Sequence, residues 1–307
     1  MTWLTGILKD WAASDFAWRF RTSPPVIFAT VVFLALIFCA AAADIIAPHN
    51  PFDPATLEIM DSRLPPAWLE GGTTKYLLGT DEQGRDILSS IFYGMRISLL
   101  VGLAAVLFSV TIGVLLGLAA GYFGGWVDAL IMRLGDVQLS FPTIMIAFFI
   151  DGVAKIVMPV AMREEMRFYV VILAIGVADW VQFARTVRAS TMVERRKDYV
   201  AAARISKVSG ARIVLTHILP NTIGPVLVLA TLGLGVAILT EAILSFLGLG
   251  MPPSQPSLGT LIRAGNDLLL SGEWWISLFP GAALVLLVLS VNMVGDWLRD
   301  VLNPRLR

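Results

Sequence analysis

Residues 97–127 read ISLLVGLAAVLFSVTIGVLLGLAAGYFGGWV, without one Asp, Glu, Lys or Arg. A helix that crosses a bilayer needs about 20 mostly apolar residues, whereas signal-peptide cores and buried soluble helices usually offer about 10–15. The stretch is long enough to span. Four more uncharged runs accompany it, Val26 to Ala43, Ile213 to Thr240, Ala242 to Ile262 and Trp274 to Gly295.

Composition agrees with a membrane protein. Of 307 residues, 57% are hydrophobic and 15% charged, against roughly 45–50% and about 25% in average soluble chains, and the mean hydropathy is +0.77. A soluble enzyme, a disordered tail and a nucleic-acid binder are all disfavoured. Lys+Arg and Asp+Glu each number 23, so no overall basic field attracts phosphate backbones. Cys39 is the one cysteine, which excludes an intrachain disulfide and a multi-cysteine metal site. His49 and His217 stand far apart and do not read as a metal pair.

Not every uncharged run is a span. The stretch GLGMPPSQPSLG carries Pro252, Pro253 and Pro256, which reads as an external loop after a helix over Thr222 to Leu247. Two weaker segments, Val137 to Met158 and Phe168 to Thr186, contain charge. Asp151 and Lys155 lie four apart and can face each other on one helix side. Asp179 has no such neighbour; it is either a functional group or a carboxylate near a helix end or a polar seam between subunits. The polar segment before Val26 and the length of the first apolar run favour an uncleaved anchor over a signal peptide. Six spans with both termini cytoplasmic gather Arg185, Arg188, Arg195, Arg196, Lys197, Arg204, Lys207 and Arg212 on the inner side. Four spans, without the two weak segments, place them there too.

All of those basic residues but Arg185 belong to a polar stretch over 187–221, VRASTMVERRKDYVAAARISKVSGARIVLTHILPN. Asp198 suits a helix cap, and Ala201, Ala202 and Ala203 combine high helix propensity with little bulk, so another surface can approach closely. Gly210 suits the end of this helix, a second short turn can follow from Ala211, and Pro220 breaks the run into the next span. Such a helix fits a docking element for a partner protein. It equally fits a loop that only obeys the positive-inside rule.

The pattern Asp198-Tyr199-Val200-Ala201-Ala202-Ala203-Arg204, followed by His217-Ile218-Leu219-Pro220-Asn221, resembles the coupling loop of ABC importer permeases. Ala201 stands where that family usually has Glu, and Lys207 where it usually has Gly. Leu78-Gly79-Thr80-Asp81-Glu82-Gln83-Gly84-Arg85-Asp86, then Tyr93-Gly94 and Arg96-Ile97-Ser98, is similar to the dipeptide, oligopeptide and nickel subfamily. So are Gly121-Tyr122-Phe123-Gly124-Gly125, Phe141-Pro142, Leu244 to Gly250, Phe279-Pro280-Gly281 and the tail from Gly295-Asp296 to Arg307. The matches extend over about residues 64–307, and with Pro65-Pro66-Ala67-Trp68 they look most like the C-type permease of dipeptide importers.

The resemblance implies an all-α integral membrane protein with six transmembrane helices in the type I ABC importer permease fold. It divides the chain into a cytoplasmic segment 1–25, a first transmembrane helix 26–46, an extracytoplasmic loop 47–95, a five-helix core 96–297 that holds a cytoplasmic coupling loop 187–221, and a cytoplasmic tail 298–307. It places Asp198, Tyr199, Ala202, Ala203, Arg204, Ser209, Gly210, Leu219 and Pro220 at the docking site of ATPase subunits. The implied partners are a homologous second permease, two cytoplasmic ABC ATPases and an extracytoplasmic binding protein, in a bacterial inner membrane, with peptides as cargo and no nucleic acid. The chain contains no GxxxxGK[ST] phosphate loop, so ATP and Mg are expected on the ATPase subunits, with no catalytic residue, cofactor or metal in this chain.

Two other classes compete. A proton-coupled secondary transporter would cycle Asp151, Asp179 or Glu241, and a non-transporting scaffold would need only spans and a partner loop. The cluster Asp81, Glu82, Arg85 and Asp86 reads as capping and salt bridging at the start of the second span, or as a metal or substrate site.

Overall fold

The computed structural model describes residues 15–53 and 59–302. The first fourteen residues and the tail from 303, both expected on the cytoplasmic side, lie outside the described residues. The helices are α1 Asp15–Arg21, α2 Pro24–Ala41, α3 Ala43–Ile46, α4 Ile87–Phe123, α5 Gly125–Leu139, α6 Thr143–Val157, α7 Arg163–Glu194, α8 Asp198–Ile205, α9 Gly210–Ile213, α10 Leu219–Phe246, α11 Leu258–Asn266 and α12 Trp275–Leu302. No strand occurs among the described residues, so the all-α expectation holds.

Among the described residues, five helical stretches are long and apolar enough to cross a membrane: Pro24–Ala41, Ile87–Phe123, Val160–Glu194, Gly210–Phe246 and Trp275–Val301. The expected sixth span falls on the pair α5 and α6, which pass the length and hydropathy requirement only together and are bent by 96°, as in a broken span or a re-entrant loop. The weak segment Val137 to Met158 therefore contains a break. Pro142 has no N–H to donate and disfavours the α conformation at Phe141, so helical pairing stops after Leu139 and resumes at Thr143. The other weak segment, Phe168 to Thr186, is the middle of a longer helix, α7.

The start of α4 lies at Ile87, ahead of Arg96, where the core was expected to begin. Asp86 caps it: its Oδ2 accepts from the Ser89 N–H at 2.9 Å and from the Ser89 hydroxyl at 2.5 Å. Asp81 Oδ1 accepts from the backbone N–H of Gln83 and Arg85 at 2.8 and 2.9 Å, and Glu82 pairs with Arg63 at 3.2 Å. The acidic-basic cluster is thus a capped turn with ion pairs. At the other end α4 stops at Gly124, whose φ of 68° is left-handed, as is that of Gly125 at 56°.

The most extensive helix contact joins α4 to α7. A Cβ built on Gly113 would sit 2.5 Å from Phe183 Cβ, and one on Gly121 would sit 2.6 Å from Thr191 Cβ. Gly113, Gly117 and Gly121 recur every four residues and form one face of α4. With no side chains there, the two backbones approach closely, which is how helices in lipid gain van der Waals contact. Around this pair, α10 packs on α4, α7 and α12, and α2 lies against α12.

The amphipathic α11 begins at Leu258, at the end of the stretch read as an external loop. Ser257 caps it, accepting from the Thr260 N–H, and Leu258 and Leu261 bury against the bundle. The prolines lie in the non-helical segment before it, as expected.

Candidate functional site

Beyond α7 the chain turns through Arg195 and Arg196 into α8. The cap residue is Lys197, in extended conformation, and no side chain bonds to the helix end. Asp198, expected as the cap, is instead the first helical residue, exposed, with its charge favourably placed against the helix dipole. The helix closes at Ser206, and Lys207 takes the left-handed conformation, φ 56°. Gly210, expected to end α8, opens α9. The left-handed turn falls at Lys207 because helix closure needs it right after the cap residue, while Gly210 lies against Tyr122, whose hydroxyl would be 3.0 Å from an added Cβ.

From α9 the backbone runs through a π turn, Val214–Ile218, into α10 without leaving helical conformation. Pro220 does not interrupt the run as expected. It occupies the first turn of α10, where a missing N–H is tolerated.

The alanine face divides. Val200 is fully buried and Ala203 is 9% exposed, and both pack with Ile213, Ile218, Phe183 and Leu118. Ala201, Ala202 and Arg204 point outward, and Ile205, which no sequence signal marks, is 82% exposed. Ser209 and Pro220 are exposed, whereas Gly210 and Leu219 are half-buried. The outer surface therefore joins Ala201, Ala202 and Ile205; Ala203 belongs to the inner one.

Side chains tie this segment to its neighbours. The Tyr199 hydroxyl donates to Glu194 and accepts from Asn221 Nδ2 at 3.3 Å, and the Tyr199 ring stacks on His217. Desolvation and the Glu194 carboxylate push the Tyr199 hydroxyl above its ordinary pKa. Lys197 pairs with Glu194 at 2.6 Å. Arg195 Nη1 donates to the Tyr122 carbonyl at 2.5 Å, at the end of α4, and Arg204 lies over the Tyr122 ring. Arg188 reaches Asp128 of α5 through two guanidinium nitrogens. One segment thus holds the ends of α4, α7 and α10.

The carboxylates inside the apolar helices fare differently. Asp151, 4% exposed, pairs with Lys155 at 2.6 Å, as its spacing indicated, and with Arg167 at 2.8 Å. Arg167 also donates to the carbonyls of Gly248 and Gly250. Glu241 is fully buried and accepts from the hydroxyls of Ser98 and Ser245 at 2.7 and 2.6 Å. Asp179 is half-buried, with no hydrogen bond or ion pair among the described residues.

A family model described as "Binding-protein-dependent transport system inner membrane component" matches residues 113–307, and one described as "N-terminal TM domain of oligopeptide transport permease C" matches residues 12–66. The chain is 39% identical over 296 residues to the dipeptide transport system permease protein DppC of Escherichia coli strain K12, covering 95% of this chain and 93% of that one. It is 37% identical over 275 residues to the di/tripeptide transport system permease protein DppC of Pseudomonas aeruginosa, covering 89% and 86%. A Haemophilus influenzae dipeptide transport system permease protein is 38% identical over 275 residues, covering 89% and 90%. These matches agree with the membrane-spanning helices and the packed segment after α7: the chain belongs to the family of inner-membrane components of binding-protein-dependent transport systems.

Proposed function

We propose that this chain is the C-type permease subunit of an ATP-driven peptide importer, and that α8 is the element through which ATPase subunits act on it. The observation that carries this reading is the two-sided build of α8. Its outer side offers Ala201, Ala202 and Ile205, small or apolar and unpartnered, and its inner side is fixed through Val200 and Ala203 to the core that holds Phe183 and Ile218. A partner seated on the outer side would move α7 and α10 together. The names of the relatives support di- and tripeptides as cargo.

In this reading a binding protein delivers peptide outside, a homologous second permease completes the path, and two ATPases bind ATP and Mg on the cytoplasmic side, where both termini also lie. Asp198, Tyr199, Ala202, Arg204, Ser209, Gly210, Leu219 and Pro220 form or shape the docking surface, and Ala203 supports it from below. ATP-driven movement of α8 then shifts the bundle between inward-open and outward-open states, to the extent that contacts differ between the two. Asp151 and Glu241 already have partners, which argues against proton cycling at either.

The test is purification of the tagged chain from its membrane in gentle detergent, with partner identification and an ATPase assay. A second permease and two nucleotide-binding subunits with ATPase activity are expected. The chain alone, still without partners after crosslinking in the membrane, would overturn the reading.

A further inference from the structure

Asp179 sits near the middle of α7, between Gly176 and Gln182. It is half-buried, and unlike the buried Asp151 and Glu241 it has neither a cationic nor a hydroxyl partner among the described residues. A carboxylate turned to lipid is costly, so its open side belongs against water or protein.

The direction of that side follows from helix geometry. Thr186 lies seven residues on, nearly two full turns at 3.6 residues per turn, so both stand on one line of α7. Thr186 lines an open groove of about 750 Å³ together with Pro220, Asn221, Gly224, Pro225 and Arg299. Gln182, exposed, lies between them on the same side of the helix. Asp179, Gln182 and Thr186 therefore make a polar stripe that leads from the groove into the middle of an otherwise apolar helix.

Resting on the peptide-importer reading, we propose that this stripe lines the translocation path and that the Asp179 carboxylate receives the α-ammonium group of the peptide in transit. A free peptide carries that cation whatever its side chains are. One carboxylate in a low-dielectric passage attracts it without discriminating sequence, while the stripe's amide and hydroxyl give neutral hydrogen bonds on either side.

The experiment uses the assembled importer in membrane vesicles, with radiolabelled dialanine and its binding protein. Asp179→Asn should lower uptake at least tenfold and leave subunit assembly unchanged, and Asp179→Glu should restore most of the uptake. Asp179→Cys, in a Cys39→Ala background, should react with a water-soluble cationic methanethiosulfonate, and the reaction should be slowed by dialanine. Wild-type uptake by Asp179→Asn would overturn the assignment. So would loss of the second permease from that variant, which would make Asp179 a subunit contact, or a Cys at 179 that reacts only with membrane-permeant maleimide. Failure of the wild-type vesicles to take up any di- or tripeptide would overturn the peptide reading itself, and the ammonium role with it.

Discussion

Gly117 of α4 meets Ala184 of α7 so closely that a Cβ on the glycine would stand 2.6 Å from the alanine carbonyl oxygen. Neither backbone can withdraw, because Gly113 and Gly121 are held equally tightly one turn to each side. Gly117→Ala should destabilise the chain by about 1–3 kcal/mol, the usual cost of overpacking. Gly224→Ala, where nothing lies within 4 Å, should be neutral or gain up to about 1 kcal/mol of helix propensity. Thermal unfolding in detergent would compare them; equal midpoints would contradict the close-packed seam.

The division of the alanine face separates two substitutions that look alike. Ala202→Arg should leave membrane insertion and detergent stability intact but abolish ATPase association, because the outward surface is blocked. Ala203→Arg should fail earlier, at folding, since it drives a charge into the core around Val200 and Ile213. Size-exclusion profiles and co-purification would report both, and ATPase association unchanged in Ala202→Arg would remove α8 as the docking helix.

Lys207 holds a left-handed conformation that costs an L-residue roughly 1–2 kcal/mol. Lys207→Gly should remove that strain and, after the greater chain entropy of unfolded glycine, leave a net gain of about 0.5–1 kcal/mol. The side chain is exposed, so transport should persist. A lower midpoint would show that the lysine makes a stabilising contact elsewhere.

Asp81 lies in the loop before α4, and burial is the largest influence on it, pushing its carboxyl above the ordinary 3.8. The folded form therefore holds its proton to higher pH than the unfolded one. The contribution to stability is full below about 3.8 and falls as pH rises through the raised folded value. Asp81→Asn keeps an acceptor for the Gln83 and Arg85 N–H groups and removes the buried charge, so relative to wild type it should gain stability between about pH 4 and neutrality. Asp81→Ala loses both bonds and should cost about 1–3 kcal/mol. Unfolding at several pH values would check the sign.

The range of each force decides whether a feature is legible in the sequence. The Asp86 cap, the Asp151 and Lys155 pair and the turn at Gly124 depend on neighbours within four residues, and sequence spacing displays them. The spans depend on composition, which is equally visible. The partner of Asp151 in Arg167, the inward turn of Ala203 and the burial of Glu241 among serines depend on which helices meet, and nothing local encodes that. Local signals even mislead: Asp198 and Gly210 are good terminal residues, yet the neighbouring Lys197 and Lys207 take the terminal geometry, because the anchoring of Val200, Ala203 and Ile213 in the core sets the helix phase. The break at Pro142 is written in the sequence but hidden from hydropathy alone.

The π turn at Val214–Ile218 holds one residue more than an α-helical turn of the same rise. That surplus is slack. Passing it along the chain by one position turns the residue it crosses by about 100° without parting the backbone. It lies between α8 and the long α10, so side chains at the join can change the face they present while Tyr199 and Asn221 stay bonded across it.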